Sequence, residues 1–196
     1  MIQYDAIRKE GVELIEKLLK QGKNIVAAGT MGSGKTTLAN LLINSIPLPM
    51  RVITLEPYAT LKLNRKMTCQ LESATKDESG MKELFKAAHK MRADYLVVNQ
   101  LETEYINDYV KIITDDHSGL TVANGENIFD VIKKIEVSLL ANSVGLSIED
   151  ARHIIAQVFE VIVFQAKMED GYRRVTHIAE VHCENGELKY NILYKY

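Results

Sequence analysis

GTMGSGKTT, residues 29–37, is a glycine-rich loop between two segments of different character. The preceding NIVAAG is a short apolar run typical of a buried strand, and the following TTLANLLINSI has the composition and spacing of a helix. Gly29, Gly34, Lys35 and Thr36 complete the GxxxxGK(S/T) pattern of phosphate-binding loops. Because the pattern lies between a predicted strand and a predicted helix, it predicts a nucleotide site rather than a chance glycine-rich turn.

The residue types in this loop suit the phosphates of ATP. Glycines let backbone N–H groups turn inward around an anion, and the helix that follows adds its positive end. Lys35 can reach the β and γ phosphates, and the Thr36 hydroxyl can ligate Mg²⁺. We therefore expect a nucleoside triphosphate with Mg²⁺, and Thr36 as the metal ligand. The predicted nucleotide-binding residues are Gly29, Gly32, Ser33, Gly34, Lys35, Thr36 and Thr37.

The composition fits one globular domain and disfavours several classes of protein. The chain has 196 residues, of which 46% are hydrophobic, and its formal net charge of -2 gives no reason to expect a nucleic-acid partner. Cys69 and Cys183 lie far apart without metal-like spacing, as is typical of reduced cytoplasmic thiols. No apolar run approaches the ~20 residues of a membrane span, and the opening MIQYDAIRKEG is no signal peptide. We expect a soluble, cytoplasmic protein with peripheral membrane contact at most.

Strand-like and helix-like segments alternate along most of the chain. Predicted strands are RVITLE, DYLVVNQ and SGLTVAN; predicted helices are GMKELFKAAHKM, EYINDYVKIITD, IFDVIKKIEVSLLANS and SIEDARHIIAQVF. In the last of these helices, Ser147 with Asp150 resembles an N-terminal cap. Such alternation predicts an α/β fold with a mostly parallel sheet and helices on both faces.

The two ends of the chain differ in character from the middle. The opening YDAIRKEGVELIEKLLKQGKN has apolar residues at helical spacing and Gly22 as its C-terminal cap, so it predicts an amphipathic helix. The closing segment alternates apolar and polar residues around the turn signals Asp170-Gly171 and Asn185-Gly186. This alternation predicts an antiparallel meander at the edge of the sheet.

ATP hydrolysis needs an acidic residue near Mg²⁺ and a group that orients water. Gln100 follows the strand YLVV, where an amide can accept a hydrogen bond but cannot act as a base. Glu56 ends the strand VITLE and is the first candidate for water activation. Its spacing is equally compatible with a strand-end glutamate that only faces solvent. Glu102 and Glu104 fit either an approach to the metal or a charged helix start. His117 could contact the γ phosphate or signal its presence to neighbouring elements, or it could be a plain exposed histidine.

The order of these segments resembles that of the secretion ATPases of bacterial type II and type IV secretion, type IV pilus and tight-adherence pilus machines. The segments that carry the resemblance are GTMGSGKTTL, VITLE, YLVVNQ with MRAD before it, DHSGLT and DGYRRVTHIAEV. The resemblance runs from about Asn24 to the end and is closest to the conjugation and tight-adherence branch. It implies a P-loop NTPase of RecA-like type that forms a hexameric ring, binds ATP at subunit boundaries and powers inner-membrane secretion or pilus machinery.

The resemblance also carries roles onto individual residues. Lys35 and Thr36 match the phosphate and Mg²⁺ positions of the loop. Glu56 matches the first acid of the family's acidic box, whereas Pro57 and Thr60 stand at the next acid and at the later glutamate. The acidic box is therefore only partly present.

Two further motifs of the family are altered in the second half of the chain. Gln100 stands at the position of the Walker B glutamate. His117 matches the first histidine of the His box, while the second falls near Asn124. Arg173 and Arg174 match the C-terminal signature, and no arginine matches a motif sharply enough to be named as a subunit-bridging finger.

Three functions follow as hypotheses. The first is an ATPase motor subunit, with Glu56, Gln100 and His117 as catalytic residues and activity reduced by the altered motifs. The second is a nucleotide-binding subunit of the same ring with little or no hydrolysis. The third is a small-molecule kinase, which would need an arginine-rich lid. We expect residues 1–23 to form a linker-like helix and residues 24–196 the motor domain, without the family's usual N-terminal domain.

Overall fold

The computed structural model describes residues 6–75, 78–114 and 117–196. Within these ranges, one sheet of eight strands is flanked by six helices. The strands are β1 (Ile25–Gly29), β2 (Val52–Glu56), β3 (Thr68–Glu72), β4 (Tyr95–Val98), β5 (Ser118–Asn124), β6 (Val161–Lys167), β7 (Arg173–Glu184) and β8 (Glu187–Lys195). The helices are α1 (Lys9–Lys20), α2 (Lys35–Ser45), α3 (Glu78–Lys90), α4 (Ile106–Thr114), α5 (Ile128–Asn142) and α6 (Ile148–Val158).

The sheet has the strand order β3-β2-β4-β5-β1-β6-β7-β8. Every pair from β3 through β6 is parallel, and β6, β7 and β8 pair antiparallel as the predicted meander. The predicted α/β class with a mostly parallel sheet and a C-terminal meander is therefore confirmed. The edge strand β3, of mixed exposure, was not predicted; among the described strands it pairs with β2 alone.

Alternate residues of the central strand face opposite layers. On β1, Val26 and Ala28 pack in a core with α3, α4, α5 and α6, whereas Ile25 and Ala27 pack in a second core with α1 and α2. Because side chains alternate across a strand, a fully apolar β1 fills both cores at once. The helices therefore cover both faces of the sheet, as predicted.

The opening helix is tied to the sheet at its C-terminal end. Gly22 has a φ of 70° and its N–H donates to Leu19 O at 3.1 Å, while Lys23 N–H donates to Leu18 O at 3.1 Å. These two bonds form a Schellman motif, which confirms Gly22 as the cap of α1. Tyr4 and Asp5, the first residues of the predicted helix, lie outside the described residues.

The capping and turn signals read from the sequence are present in the structure. The Ser147 side chain accepts a hydrogen bond from Asp150 N–H at 3.0 Å and caps α6. Asn185 and Gly186, with φ of 52° and 74°, form the two-residue turn between β7 and β8. Asp115, the last residue of the predicted helix EYINDYVKIITD, lies outside the described residues. None of the described helices combines the length and hydrophobicity needed to cross a bilayer.

Candidate nucleotide site

The glycine-rich loop begins at the carboxyl end of β1, in the middle of the sheet. Gly29 pairs with Asn124 on β5 and with Gln165 on β6. A Cβ atom on residue 29 would lie only 2.1 Å from the Gln165 carbonyl oxygen. Only glycine therefore fits where the loop leaves the strand.

The loop has the backbone conformation of an anion-binding turn. Gly32 and Gly34 have φ of 74° and 92°, in the left-handed region that favours glycine. Ser33 N–H donates to Thr30 O at 3.2 Å within the loop, and α2 begins at Lys35, directly after Gly34. The positive end of α2 therefore points toward the loop, as phosphate binding requires.

Two side chains at the start of α2 have the placement expected of phosphate and metal ligands. Lys35 Nζ donates to Thr30 O at 2.7 Å, so the ammonium group lies folded over the loop. Burial lowers the pKa of Lys35. Thr36 and Thr37 are exposed on the first turn of the helix. The lysine is held close to where phosphates would enter, with its charge only partly solvated.

A cleft of about 500 Å³ opens over the loop. The cleft lies at the carboxyl edge of the sheet, where open α/β folds bind ligands. Residues from the loop, from the segments after β2 and β4, and from β5 line it: Met31, Gly32, Gly34, Lys35, Thr36, Pro57, Tyr58, Thr60, Asn99, Gln100, Val122 and Asn124. Among these lining residues of the described chain there is no carboxylate.

Glu56 does end β2 at this edge, but its carboxylate is buried, with 1% exposure. Oε2 accepts hydrogen bonds from Thr60 N–H at 2.7 Å, Leu61 N–H at 2.9 Å and Thr60 Oγ1 at 3.2 Å. Oε1 accepts from Gln70 Nε2 at 3.3 Å and Thr54 Oγ1 at 3.4 Å. These contacts make the carboxylate the anchor of the loop at residues 57–61, and its predicted role in water activation stays a prediction.

Gln100 lies in the cleft, two residues after the end of β4. Its backbone is left-handed, with φ of 69°, and its Nε2 donates to Glu102 Oε1 at 2.6 Å. Asn99 Nδ2 donates to Thr60 Oγ1 at 2.6 Å, which joins the end of β4 to the loop that Glu56 anchors. Because Glu102 accepts from the amide nitrogen, the Gln100 amide oxygen is left as the acceptor that can face a water.

His117 lies at the opposite edge of the sheet from the loop. It precedes β5, whose far end, Asn124, is the residue paired with Gly29. Seven strand residues at ~3.3 Å each separate the two by about 23 Å. This separation argues against a direct contact of His117 with a phosphate held by the loop of the same chain, and its predicted catalytic role stays a prediction. Its ring lies 6.5 Å from that of His89, between centroids.

Two polar residues that contact the loop were not assigned this contact from the sequence. Gln165 Nε2 donates to Ser33 O at 2.7 Å, and Arg173 Nε donates to Gly32 O at 2.9 Å. Both residues belong to the C-terminal meander. The family signature around Arg173 was the available signal, but the contact follows from strand pairing that the sequence does not specify.

The donor groups present suit Mg²⁺ bound together with a nucleotide. Among the residues that the structure describes, no group of three or more His, Cys, Asp or Glu side chains is placed to hold a metal by itself. Mg²⁺ prefers oxygen ligands and often takes several of them from phosphates and water. The exposed Thr36 hydroxyl and the amide oxygens of Asn99 and Gln100 are such donors within one cleft.

Comparison with known proteins gives matches over most of the chain. Residues 1–190 match the family described as "Uncharacterised conserved protein UCP018868". The type IV secretion system protein VirB11 of Bartonella quintana is 29% identical over 178 residues, which cover 87% of this chain and 49% of that protein. This chain therefore spans about half the length of that relative.

Solved structures of secretion and pilus ATPases share the fold. The VirB11 ATPase of the Brucella suis type IV secretion system matches with a TM-score of 0.76 at 22% identity, over 87% of this chain and 52% of that chain. The pilus retraction motor PilT, solved with bound ADP, matches with a TM-score of 0.63 at 18% identity, over 92% and 50%. The fold is thus that of RecA-like P-loop ATPases.

Proposed function

This chain belongs to the family that matches its residues 1–190 and to the superfamily of secretion ATPases, and on that premise we propose that it is an ATP-hydrolysing motor subunit. The machine it serves would be a secretion or pilus apparatus. The observation that carries the proposal is the glycine loop in its anion-binding conformation, with Lys35 folded over it and a polar cleft of about 500 Å³ above.

Binding would use the loop much as it stands. The loop N–H groups and the positive end of α2 attract the phosphates, and Lys35 exchanges the Thr30 carbonyl for a phosphate oxygen. That exchange replaces a neutral acceptor by a charged one, so it strengthens the bond from the ammonium group. Thr36 would hold Mg²⁺, which supplies positive charge to the phosphoryl oxygens.

Hydrolysis would depend on orienting water rather than on a base in the cleft. Glu102 fixes the amide of Gln100 so that its oxygen can accept from a water molecule. Glu56 would act one step further away, as a positioning residue that holds Thr60 against Asn99. We propose these roles in place of general-base catalysis because both oxygens of Glu56 already accept several hydrogen bonds.

A nucleotide-binding subunit with little or no hydrolysis is the second candidate. The observation that favours it is that the described residues lining the cleft include no carboxylate. Catalytic sites of this class neutralise charge and position water with acidic and basic groups together. A ring in which a neighbouring subunit supplies the missing acid would satisfy the first proposal, and a ring without it would satisfy the second.

The assembly and location of the protein are further parts of the proposal. The two VirB11 proteins named above are components of type IV secretion systems, and PilT is a pilus retraction motor. We propose by analogy a homo-oligomer, with six subunits in a ring, on the cytoplasmic side of the inner membrane and in contact with secretion or pilus proteins. Sedimentation velocity with and without Mg-ATP tests this directly, because a monomer under all conditions would contradict it.

The binding proposal is tested by calorimetric titration of the protein with Mg-ATP. Lys35→Ala should lose binding, because it removes the only lysine that lines the described cleft. Lys66→Ala is the matched control, since Lys66 is an exposed lysine outside the cleft. Equal affinity of the wild type and Lys35→Ala would contradict the site.

A further inference from the structure

Two side chains of the C-terminal meander hold the phosphate loop from its outer side. They donate to the carbonyls of adjacent loop residues, Gly32 and Ser33. A carbonyl that points outward turns the N–H group of the same peptide inward, which is the arrangement that binds anions. Any contact that fixes these carbonyls therefore bears on phosphate binding.

Gln165 is buried, with 4% exposure, and lies directly beside the loop. Its Nε2 donates to Ser33 O at 2.7 Å. Its Oε1 and the Ser33 Oγ are buried polar atoms that lack a hydrogen-bond partner among the described residues. A buried amide with one half unsatisfied is costly, so its presence beside the loop points to a role other than packing.

The pairing of β6 with β7 contains a β-bulge beside Gln165. Phe164 pairs with His177, but the next residue, Gln165, pairs with Val175, so that Thr176 is an extra residue on β7. Bulges of this kind redirect side chains and are frequent next to functional sites. Arg173 lies on β7 three residues before the bulged Thr176, on the part of the strand that runs past the loop.

Arg173 is placed differently from its neighbour Arg174. Arg173 is exposed and makes one hydrogen bond, from Nε to Gly32 O at 2.9 Å, with no further partner among the described residues. The Arg174 side chain, 12% exposed, donates to Asp170 and packs over the rings of Tyr172 and Tyr196. Arg174 is therefore structural, whereas the two terminal amino groups of Arg173 remain available beside the loop.

We propose that Gln165 and Arg173 form a clamp that holds the phosphate loop in its anion-binding conformation, with Arg173 adding a positive charge from the same chain. Both are positioning residues for phosphate binding, and the inference rests on the nucleotide site proposed above. The clamp acts on the carbonyls of the loop and not on the nucleoside. Loss of the clamp should therefore lower the affinity for inorganic tripolyphosphate and for ATP by the same factor.

The experiment titrates Mg-ATP and tripolyphosphate into wild type, Arg173→Gln, Gln165→Met and the double variant. Each single variant should bind both ligands about tenfold more weakly, as expected for loss of one hydrogen bond that supports the site of a charged ligand. The double variant should lose less than the product of the single effects, because both residues act on one loop. Arg173→Lys, which keeps the charge but not the Nε geometry, should recover part of the affinity.

Lys167→Gln is the matched control, because Lys167 is exposed and pairs with Arg173 across the ladder. It should bind both ligands like the wild type, and thermal midpoints without ligand should agree between Lys167→Gln and Arg173→Gln. Wild-type affinity for tripolyphosphate in both Arg173→Gln and Gln165→Met would overturn the clamp. If the wild type and Lys35→Ala both fail to bind Mg-ATP, the nucleotide site itself is wrong.

Discussion

Replacing Glu56 by glutamine tests whether its carboxylate anchors the cleft or activates water. In the anchor interpretation, the charged oxygen Oε2 accepts from Thr60 N–H at 2.7 Å and Leu61 N–H at 2.9 Å. Hydrogen bonds to charged groups contribute about 1.5–3 kcal/mol and neutral ones about 0.5–1.5 kcal/mol. Loss of the charge on two backbone bonds should therefore lower the free energy of unfolding by about 2 kcal/mol.

The same substitution should also disturb the cleft. Thr60 lines it and accepts from Asn99, so a looser Thr60 should weaken Mg-ATP binding and turnover together. The assays are urea denaturation, calorimetric ATP titration and steady-state phosphate release on one preparation. Glu72→Gln is the matched control, because Glu72 pairs with Glu56 in the ladder but is exposed at the edge strand.

The control should leave all three quantities near the wild-type values. The anchor interpretation is refuted if Glu56→Gln unfolds within about 0.5 kcal/mol of wild type, the range of an ordinary surface change, and still binds ATP normally. Lost turnover in that same variant would instead identify Glu56 as the residue that activates water.

Two further predictions concern stability. Tyr95→Phe should lower the free energy of unfolding by about 1 kcal/mol in urea denaturation, because the buried hydroxyl donates to the carbonyl oxygens of Lys23 at 3.1 Å and Leu19 at 3.3 Å. The same burial raises the pKa of Tyr95 to about 12. An unchanged urea midpoint would contradict this prediction. Burial alone would raise the pKa of Glu136, but hydrogen bonds from Arg152 and Lys133 hold that pKa below its ordinary value of 4.5. These hydrogen bonds to the charged carboxylate therefore stabilise the fold above that value, and their contribution is lost as pH falls through the folded-state pKa. Between about pH 6 and about pH 3 the wild type should therefore lose more stability than Glu136→Gln, and parallel losses would refute the assignment.

Local signals predicted most of the architecture. The strand-loop-helix order around residues 29–37, the cap at Gly22 and the turn at Asn185-Gly186 each depend on neighbouring residues alone, and the structure contains all three. Such features can be read from a sequence because the conformation that each demands is available to few residue types. The class of fold follows from their order along the chain.

The parts that the sequence did not predict depend on contacts between distant segments. β3 is a short edge strand with only two apolar residues, Cys69 and Leu71, so its sequence gives a weak strand signal. Its pairing with β2 and the packing of these two side chains against the core are contacts that its sequence does not specify. The burial of Glu56 depends on donors from residues four and five positions later in the chain, Thr60 and Leu61, and from Gln70 on the neighbouring strand. No periodic pattern in the sequence marks the contacts of Glu56.

The placement of His117 and Arg173 shows the same limit at the site. The motif order suggested that His117 belongs with the loop, but parallel pairing of β5 with β1 puts it at the other edge of the sheet. Arg173 lies far from the loop in sequence and reaches it through the pairing of β6 with β7. Strand order and register decided which of the two residues lies beside the loop.

Steady-state phosphate release from Mg-ATP, measured over a range of protein concentrations with Lys35→Ala as the blank, tests the proposed ATPase most directly. We predict turnover above the blank that rises with protein concentration, because subunits in the proposed ring would complete one another's sites. Turnover equal to the blank at every concentration, in protein that binds Mg-ATP, would contradict a motor and favour the nucleotide-binding subunit.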